Sequence, residues 1–305
     1  MKLDDPSISL NYTHFIYKVK LEDDGHGTSV LDKFKSRLVY QGNFAVQFLD
    51  WLKSHSPAVL LDSFKMFMAL MTLFSLYAYC GDFVAAFLQA SLKEKHMYGM
   101  FPKGYSKYID GVEQCMHFKK NIYGMIQAAR NFFELVRDWL VDPNSSCPFT
   151  FEQFGSDQCV FMAMAHGGFI IILLYVDDLV CLTTDPYLKV LLFSAIKVAF
   201  EFEDKGELSY FLGMKIIRDM KNKTTTLDMV AYIKEKLKLF KITDKKKVTT
   251  AYPTHDGDIG EPLGEEDASL FRSMLGAAIW VVNIRPDLSY AVGRLSSHMS
   301  KPHKL

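Results

Sequence analysis

Two carboxylates placed between apolar runs carry the clearest chemical potential in this chain. Phe169 to Val176 (FIIILLYV) is continuously apolar, Asp177-Asp178 follows, and Leu179 to Leu182 is apolar again. Setting two carboxylates between buried strands is costly unless cations or donors compensate, so the pair marks a candidate site. A plain hairpin turn explains the spacing equally well. Two other Asp-Asp pairs, Asp4-Asp5 and Asp23-Asp24, lie in polar turns and read as solvated loops. Asp82, within CGDFVAAFL, again has apolar flanks and no Lys or Arg close in sequence. Two separate carboxylates of this kind suggest a shared hard cation, since magnesium takes oxygen ligands, often one or two carboxylates together with substrate phosphates. Two such ions about 3.5–4 Å apart are the usual arrangement for phosphoryl transfer.

The elements that must position these acids follow from the apolar pattern. The runs 169–176 and 179–182 read as buried strands joined in a hairpin with a charged tip. Asp185-Pro186 supplies an N-cap and a proline at the first helical position. The helix it opens carries Leu188, Leu191, Leu192, Ala195, Ile196 and Ala199 on one face and is expected to run to about 202. Residues 58–79 are apolar on nearly every face and predict a helix deep in the fold. Their strongest stretch, Met66 to Cys80, is 15 residues long, whereas a bilayer span needs about 20. Residues 15–20 and 35–39 predict two strands, and Ala128 to Leu140 a helix with Phe132, Leu135, Val136, Trp139 and Leu140 on one stripe. Short strands are expected at 208–217 and 225–230, a lysine-rich helix at 231–242, an exposed acidic linker at 254–267 and a last helix at 270–282. Helices and strands are mixed, so the class is α+β.

Composition narrows the function classes. The chain has 305 residues, 35 Lys+Arg against 35 Asp+Glu, and 49% hydrophobic residues. That supports one large domain or two smaller ones with a sizeable core, and it excludes a disordered chain. Zero net charge gives no global pull on nucleic acid or membrane, so any anion-binding surface is local. Lys119-Lys120 and the net +5 stretch 231–247 are such patches, although a charge run is as readily a solvated face. Five cysteines without a C-x-x-C pair argue against a disulfide framework or zinc site and for a reducing compartment. The Asn11, Asn144 and Asn222 sequons read as chance, because the first ten residues hold no apolar signal core. Asp256 to Glu261 has the acids of a calcium loop but carries Glu261 where glycine is required. No P-loop, G-x-S-x-G or H-E-x-x-H occurs, which leaves nucleotide-switch, hydrolase and zinc-protease readings without support.

Tyr175-Val176-Asp177-Asp178, within LLYVDDLV, resembles the YVDD box of reverse transcriptases, and its surroundings resemble those of copia-type LTR retrotransposons. Further blocks agree in order. FIYKVKLEDDG…FKSRLVYQG resembles the first fingers strands, and SPAVLLDSFKMFMAL…GDFVAAFLQASL…MYGMFPKGY the block with the first catalytic aspartate. HFKKNIYGMIQAARNFFE and GELSYFLGMKI resemble the segments on either side of the active hairpin, and FRSMLGAAIWVVNIRPDLSYAVGRLSSHMSKP the connection before ribonuclease H. The resemblance covers nearly the whole chain after about residue 15.

The resemblance implies a fingers–palm–thumb core: fingers and palm at 1–214, a thumb-like segment at 215–253, and a linker with the start of a connection region at 254–305, without ribonuclease H. It implies RNA-directed DNA polymerase activity, with Asp82, Asp177 and Asp178 as catalytic and metal-binding acids for two Mg²⁺ ions, Mn²⁺ being the alternative ion. Lys35 and Arg37 would hold the incoming triphosphate, Phe87 would crowd a ribose 2′-oxygen, Gln127 would lie near the nucleotide after Gly124, and Tyr175 near the primer end. Lys119, Lys120, Lys234, Lys238 and Lys241 would follow a nucleic-acid backbone. The implied partners are an RNA template, a DNA primer or RNA–DNA hybrid and dNTPs, with no membrane. The implied location is a cytoplasmic virus-like particle or the nucleus. Departures from the family pattern, among them Phe83-Val84-Ala85 and Ala129, motivate the competing expectation of a truncated, non-catalytic remnant. For competence, Asp82 and Asp177 are expected within about 6 Å of each other, close enough to share ions.

Overall fold

The computed structural model describes residues 10–23, 29–45, 53–94, 97–243 and 260–303. The chain divides into two compact units, Met1–Leu208 and Ser209–Leu305. This border falls six residues before the 214/215 boundary expected from sequence, and the thumb-like and connection segments share one unit. Lys245 to Lys247, the calcium-like loop up to Ile259 and most of the acidic linker lie outside the described residues.

The first unit opens with β1 (Leu10–Asn11) and a long hairpin of β2 (Thr13–Asp23) and β3 (Ser29–Tyr40). Then come α1 (Leu61–Leu73), β4 (Tyr77–Phe83), a single turn α2 (Ala86–Gln89), β5 (Tyr98–Met100), the small hairpin β6 (Tyr108–Ile109) and β7 (Val112–Glu113), and β8 (Cys115–His117). The unit closes with α3 (Ala128–Val141), β9 (Glu152–Gln153), β10 (Val160–Ala165), β11 (Gly168–Tyr175), β12 (Asp178–Thr183), α4 (Pro186–Ala199) and β13 (Phe202–Glu207). Its main sheet has six strands in the order β13-β4-β12-β11-β10-β9, each neighbouring pair antiparallel. Ile170 to Leu174 and Leu179 to Leu182 are all buried, which explains why the central hairpin reads as continuous rather than alternating hydrophobicity.

Several expected boundaries are corrected. The apolar segment 58–79 is a helix only to Leu73. There, Ser75 adopts φ of 51° and the Leu76 amide donates back to Met71 O at 3.0 Å, a left-handed helix stop that releases the chain into β4. Without Gly or Pro at this stop, an unbroken apolar run cannot be divided by periodicity. The helix opened by Asp185, whose carboxylate accepts from the Tyr187 amide, ends at Ala199 rather than 202, and Phe202 starts a strand. The 208–217 strand is two.

In the second unit β14 (Tyr210–Phe211) and β15 (Met214–Asp219) are joined through Leu212 and Gly213, both with positive φ as a two-residue hairpin turn requires, and β16 (Thr224–Asp228) completes the sheet. α5 (Val230–Leu239), α6 (Glu265–Val282) and α7 (Ser289–Ser296) follow. α6 begins five residues earlier than expected: Glu265, Glu266 and Asp267, read as linker, form its first turn, where their charge complements the helix dipole.

Candidate active site

The acids singled out in sequence meet at one end of the six-stranded sheet. Tyr175 pairs with Asp178 across a two-residue turn of Val176 and Asp177. Val176 sits at φ of 55°, an uncommon conformation for a β-branched residue and one that costs on the order of 1–3 kcal/mol. On the neighbouring strand Asp82 stands directly opposite Asp178, and on its other side directly opposite Glu203. Directly opposed residues project to the same face, so Tyr175, Asp178, Asp82 and Glu203 form one row across β11, β12, β4 and β13. The Phe83 amide donates to the Asp177 carbonyl at 2.8 Å, binding the turn itself to the end of β4. One backbone hydrogen bond and one register pair thus join Asp82 to the Asp177-Asp178 pair, far from it in sequence.

The end of β4 is held firmly. The Gln89 side chain donates to Val84 O at 2.7 Å and Glu201 O at 2.9 Å, and accepts from the Glu201 amide at 2.9 Å. A clamp of this kind replaces missing ladder bonds where β4 stops and α2 begins, with Ala85 at φ of 49° in the corner. On the opposite face the Phe202 ring covers Gly81, where a Cβ would come within 2.0 Å of it. Phe83 packs edge-on against Phe132, Phe200 and Phe202. Fixed rings behind the strand keep Asp82 in register with its neighbours.

Burial, reinforced by charge repulsion, disfavours the ionised acids of the row. Burial, then Asp177 and Asp82, push the Asp178 carboxyl up to about 6, with Lys205 acting in the opposite direction. Burial followed by Asp177 also raises Asp82 above the usual aspartate range. Lys205 is ion-paired with Glu203 at 2.5 Å. Half-buried oxygen donors that repel one another fit a hard divalent cation in chemistry. Among the described residues, however, no three His, Cys, Asp or Glu side chains are gathered as a metal site, so these carboxylates must draw together to hold one.

A cationic wall faces this floor. In the β2–β3 hairpin Lys18 opposes Lys35, Lys20 opposes Lys33, and Arg37 follows on the same face. Like charges directly opposite destabilise a strand pair, so this face calls for an anion. Burial first, and then Arg37 and Lys20, lower Lys35, while Asp82 pulls it the other way. Lys33 and Lys20 act on Glu203 in turn, helping Lys205 to hold its carboxyl low. The guanidinium of Arg37 lies 5.0 Å over the Tyr123 ring, and its buried Nε has no hydrogen-bond partner among the described residues. Tyr123 packs in turn on Phe87 at 5.3 Å between ring centroids. The sequence reading missed Tyr123, which connects the phosphate-binding candidate to the aromatic one; its place beside Gly124 was the available signal. Gly124 itself lets two backbones touch: it has φ of 86°, and a Cβ there would lie 2.0 Å from Tyr40 O.

The remaining candidates scatter more widely. Gln127 is buried at the start of α3, its amide donating to Glu94 at 3.4 Å, so it presents no open group. Tyr175 is half-buried beside the turn. Lys119 and Lys120 are exposed in the first unit, and Lys234, Lys238 and Lys241 are exposed on or just after α5 in the second.

Residues 8–254 match the model of the family described as reverse transcriptase (RNA-dependent DNA polymerase). The chain belongs to that family. It is 27% identical over 300 residues to the retrovirus-related Pol polyprotein from transposon TNT 1-94 of Nicotiana tabacum, covering 95% of this chain and 22% of the relative. It is 26% and 27% identical to the Pol polyproteins from transposons RE2 and RE1 of Arabidopsis thaliana, covering 97% and 94% of this chain and 20% and 19% of those relatives. The reverse transcriptase chain therefore spans about a fifth of the polyproteins it matches.

Proposed function

We propose that this chain is the RNA-directed DNA polymerase module of a copia-type Pol polyprotein, extending a primer 3′-hydroxyl with dNTPs on an RNA template. The observation that carries the reading is the backbone bond from Phe83 to Asp177 beside the Asp82–Asp178 pair, which brings the three acids to one sheet end. The six-stranded sheet serves as palm, the β2–β3 hairpin as fingers, and the second unit contributes the thumb. Asp82, Asp177 and Asp178 would hold two divalent ions, which supply a lowered pKa at the primer hydroxyl and neutralise charge on the α-phosphate and leaving pyrophosphate.

The chain's own side chains do the rest. Lys35, within electrostatic reach of Asp82, neutralises triphosphate oxygens as a point charge. Arg37 offers a planar fork already oriented by the Tyr123 ring. Phe87, backed by Tyr123, sets the space left for the sugar and disfavours a 2′-hydroxyl. Gln127 supports this region from within the fold, and Tyr175 flanks the primer end. Lys119, Lys120, Lys234, Lys238 and Lys241 track template and primer phosphates, with pairing rather than side chains supplying sequence.

The competing reading, a non-catalytic remnant, draws on the carboxylates not being gathered around a metal position. Primer extension on an RNA template with Mg²⁺ separates the two. Extension that disappears in Asp177→Asn supports the polymerase. No extension, or extension indifferent to that change, supports the remnant.

A further inference from the structure

Glu203 belongs to the carboxylate row yet has no part in the assignments above. It stands directly opposite Asp82 on β13, and its carboxylate holds Lys205 at 2.5 Å. The ladder is irregular just there: Asp204 pairs with Gly81 and Gly206 with Cys80, so Lys205 is an extra residue bulged out of the strand. Bulges of this kind re-aim a side chain at the edge of a site. Among the described residues Glu203 is the ion-pair partner of Lys205, while the neighbouring acid, Asp204, is taken by Lys189 from α4 at 2.5 Å. The Lys205 ammonium is also close enough to Asp82 and Asp178 to favour their charged forms. It is a cation beside a cation site.

Resting on the polymerase reading, we propose that Glu203 is a positioning residue that holds Lys205 aside and so leaves the oxygens of Asp82 and Asp178 open to a divalent ion. Without the Glu203 carboxylate, the nearest acids on that face are Asp82 and Asp178, and the flexible lysine competes with the metal for them. Lys20 and Lys33 on the facing hairpin also act on Glu203 and cannot substitute for it, since they carry the same sign as Lys205.

The test is a double-mutant cycle on the full chain, reading the affinity for Mn²⁺ alone by isothermal titration calorimetry. A unit charge about 8 Å from a divalent ion in a water-like dielectric changes its affinity by about fivefold. Glu203→Gln is expected to weaken Mn²⁺ binding by about that factor and Lys205→Gln to strengthen it. In the Lys205→Gln background, Glu203→Gln is expected to weaken binding clearly less than in wild type, because only the through-space loss of its own charge opposite Asp82 remains. Equal weakening by Glu203→Gln in both backgrounds would mean that Glu203 acts directly on the ion and would overturn the proposal. A wild-type chain with no saturable Mn²⁺ binding would overturn the metal reading itself, and this inference with it. Both residues are well exposed (side chains 58% and 43%), so glutamine is tolerated without repacking.

Discussion

Asp178→Asn is expected to make the protein more stable while abolishing the proposed polymerase chemistry. Asp178 is raised from the ordinary 3.8 to about 6 by burial and by two neighbouring carboxylates. A difference of that size corresponds to at most about 3 kcal/mol, and half-exposure to solvent reduces it to about 1–2 kcal/mol. The sign follows from proton binding. Below about pH 3.8 the folded and unfolded chains both hold this proton. Between that value and about 6 the unfolded chain releases it while the folded chain keeps it, so stability falls across this window and stays lower above it. Asparagine has no charge to repel.

The variant should therefore gain about 1–2 kcal/mol over wild type at pH 7.5 and close to nothing at pH 4. Urea unfolding at both pH values measures the difference. A gain of equal size at both would refute the electrostatic reasoning, and a loss at pH 7.5 would show that Asp178 makes stabilising contacts instead. Saturating Mn²⁺ should stabilise wild type more than the variant, since binding to the folded state alone shifts unfolding.

Three further outcomes are expected. Gly124→Ala should destabilise by about 2–4 kcal/mol, from a positive φ and a backbone clash with Tyr40, and urea unfolding that moves by less than a tenth of that would contradict the close approach. Phe87→Ala should raise the incorporation of ribonucleotides relative to deoxynucleotides by tenfold or more, the scale of a size-based pocket discrimination, as read by single-nucleotide extension. An unchanged ratio would make Phe87 a packing residue for Tyr123 only. Arg37→Lys should weaken dNTP binding about tenfold with extension at saturating dNTP largely kept, because the planar fork over Tyr123 is lost while the charge remains. A fall at saturating dNTP with unchanged affinity would place Arg37 elsewhere.

The acids were legible in the sequence because carboxylates interrupting apolar runs are expensive, and the runs themselves marked β11 and β12. The turn, however, is Val176-Asp177 rather than the expected Asp177-Asp178, because Asp178 pairs with Tyr175 as the first residue of β12. Asp185-Pro186 similarly announced α4. Glu203 was not legible: it fell just past the expected end of the helix at about 202, in a stretch with no strand pattern, and only the pairing of β13 with β4 places it opposite Asp82. Sheet register is a long-range property that local periodicity does not record. The border of α1 and β4 was hidden for a different reason, since a serine rather than glycine makes the left-handed stop. Lys35 and Arg37 stood out by resemblance, yet the opposed lysines Lys18, Lys20 and Lys33 became meaningful only when the hairpin paired them.

Electron paramagnetic resonance of Mn²⁺ on the full chain with an RNA template, DNA primer and matching dNTP bears most directly on the gathering of Asp82, Asp177 and Asp178. Two bound ions per chain with the spin coupling of a pair about 3.5–4 Å apart, lost in Asp82→Asn and Asp177→Asn, are the expected result. Uncoupled ions, or binding that survives both substitutions, would contradict it.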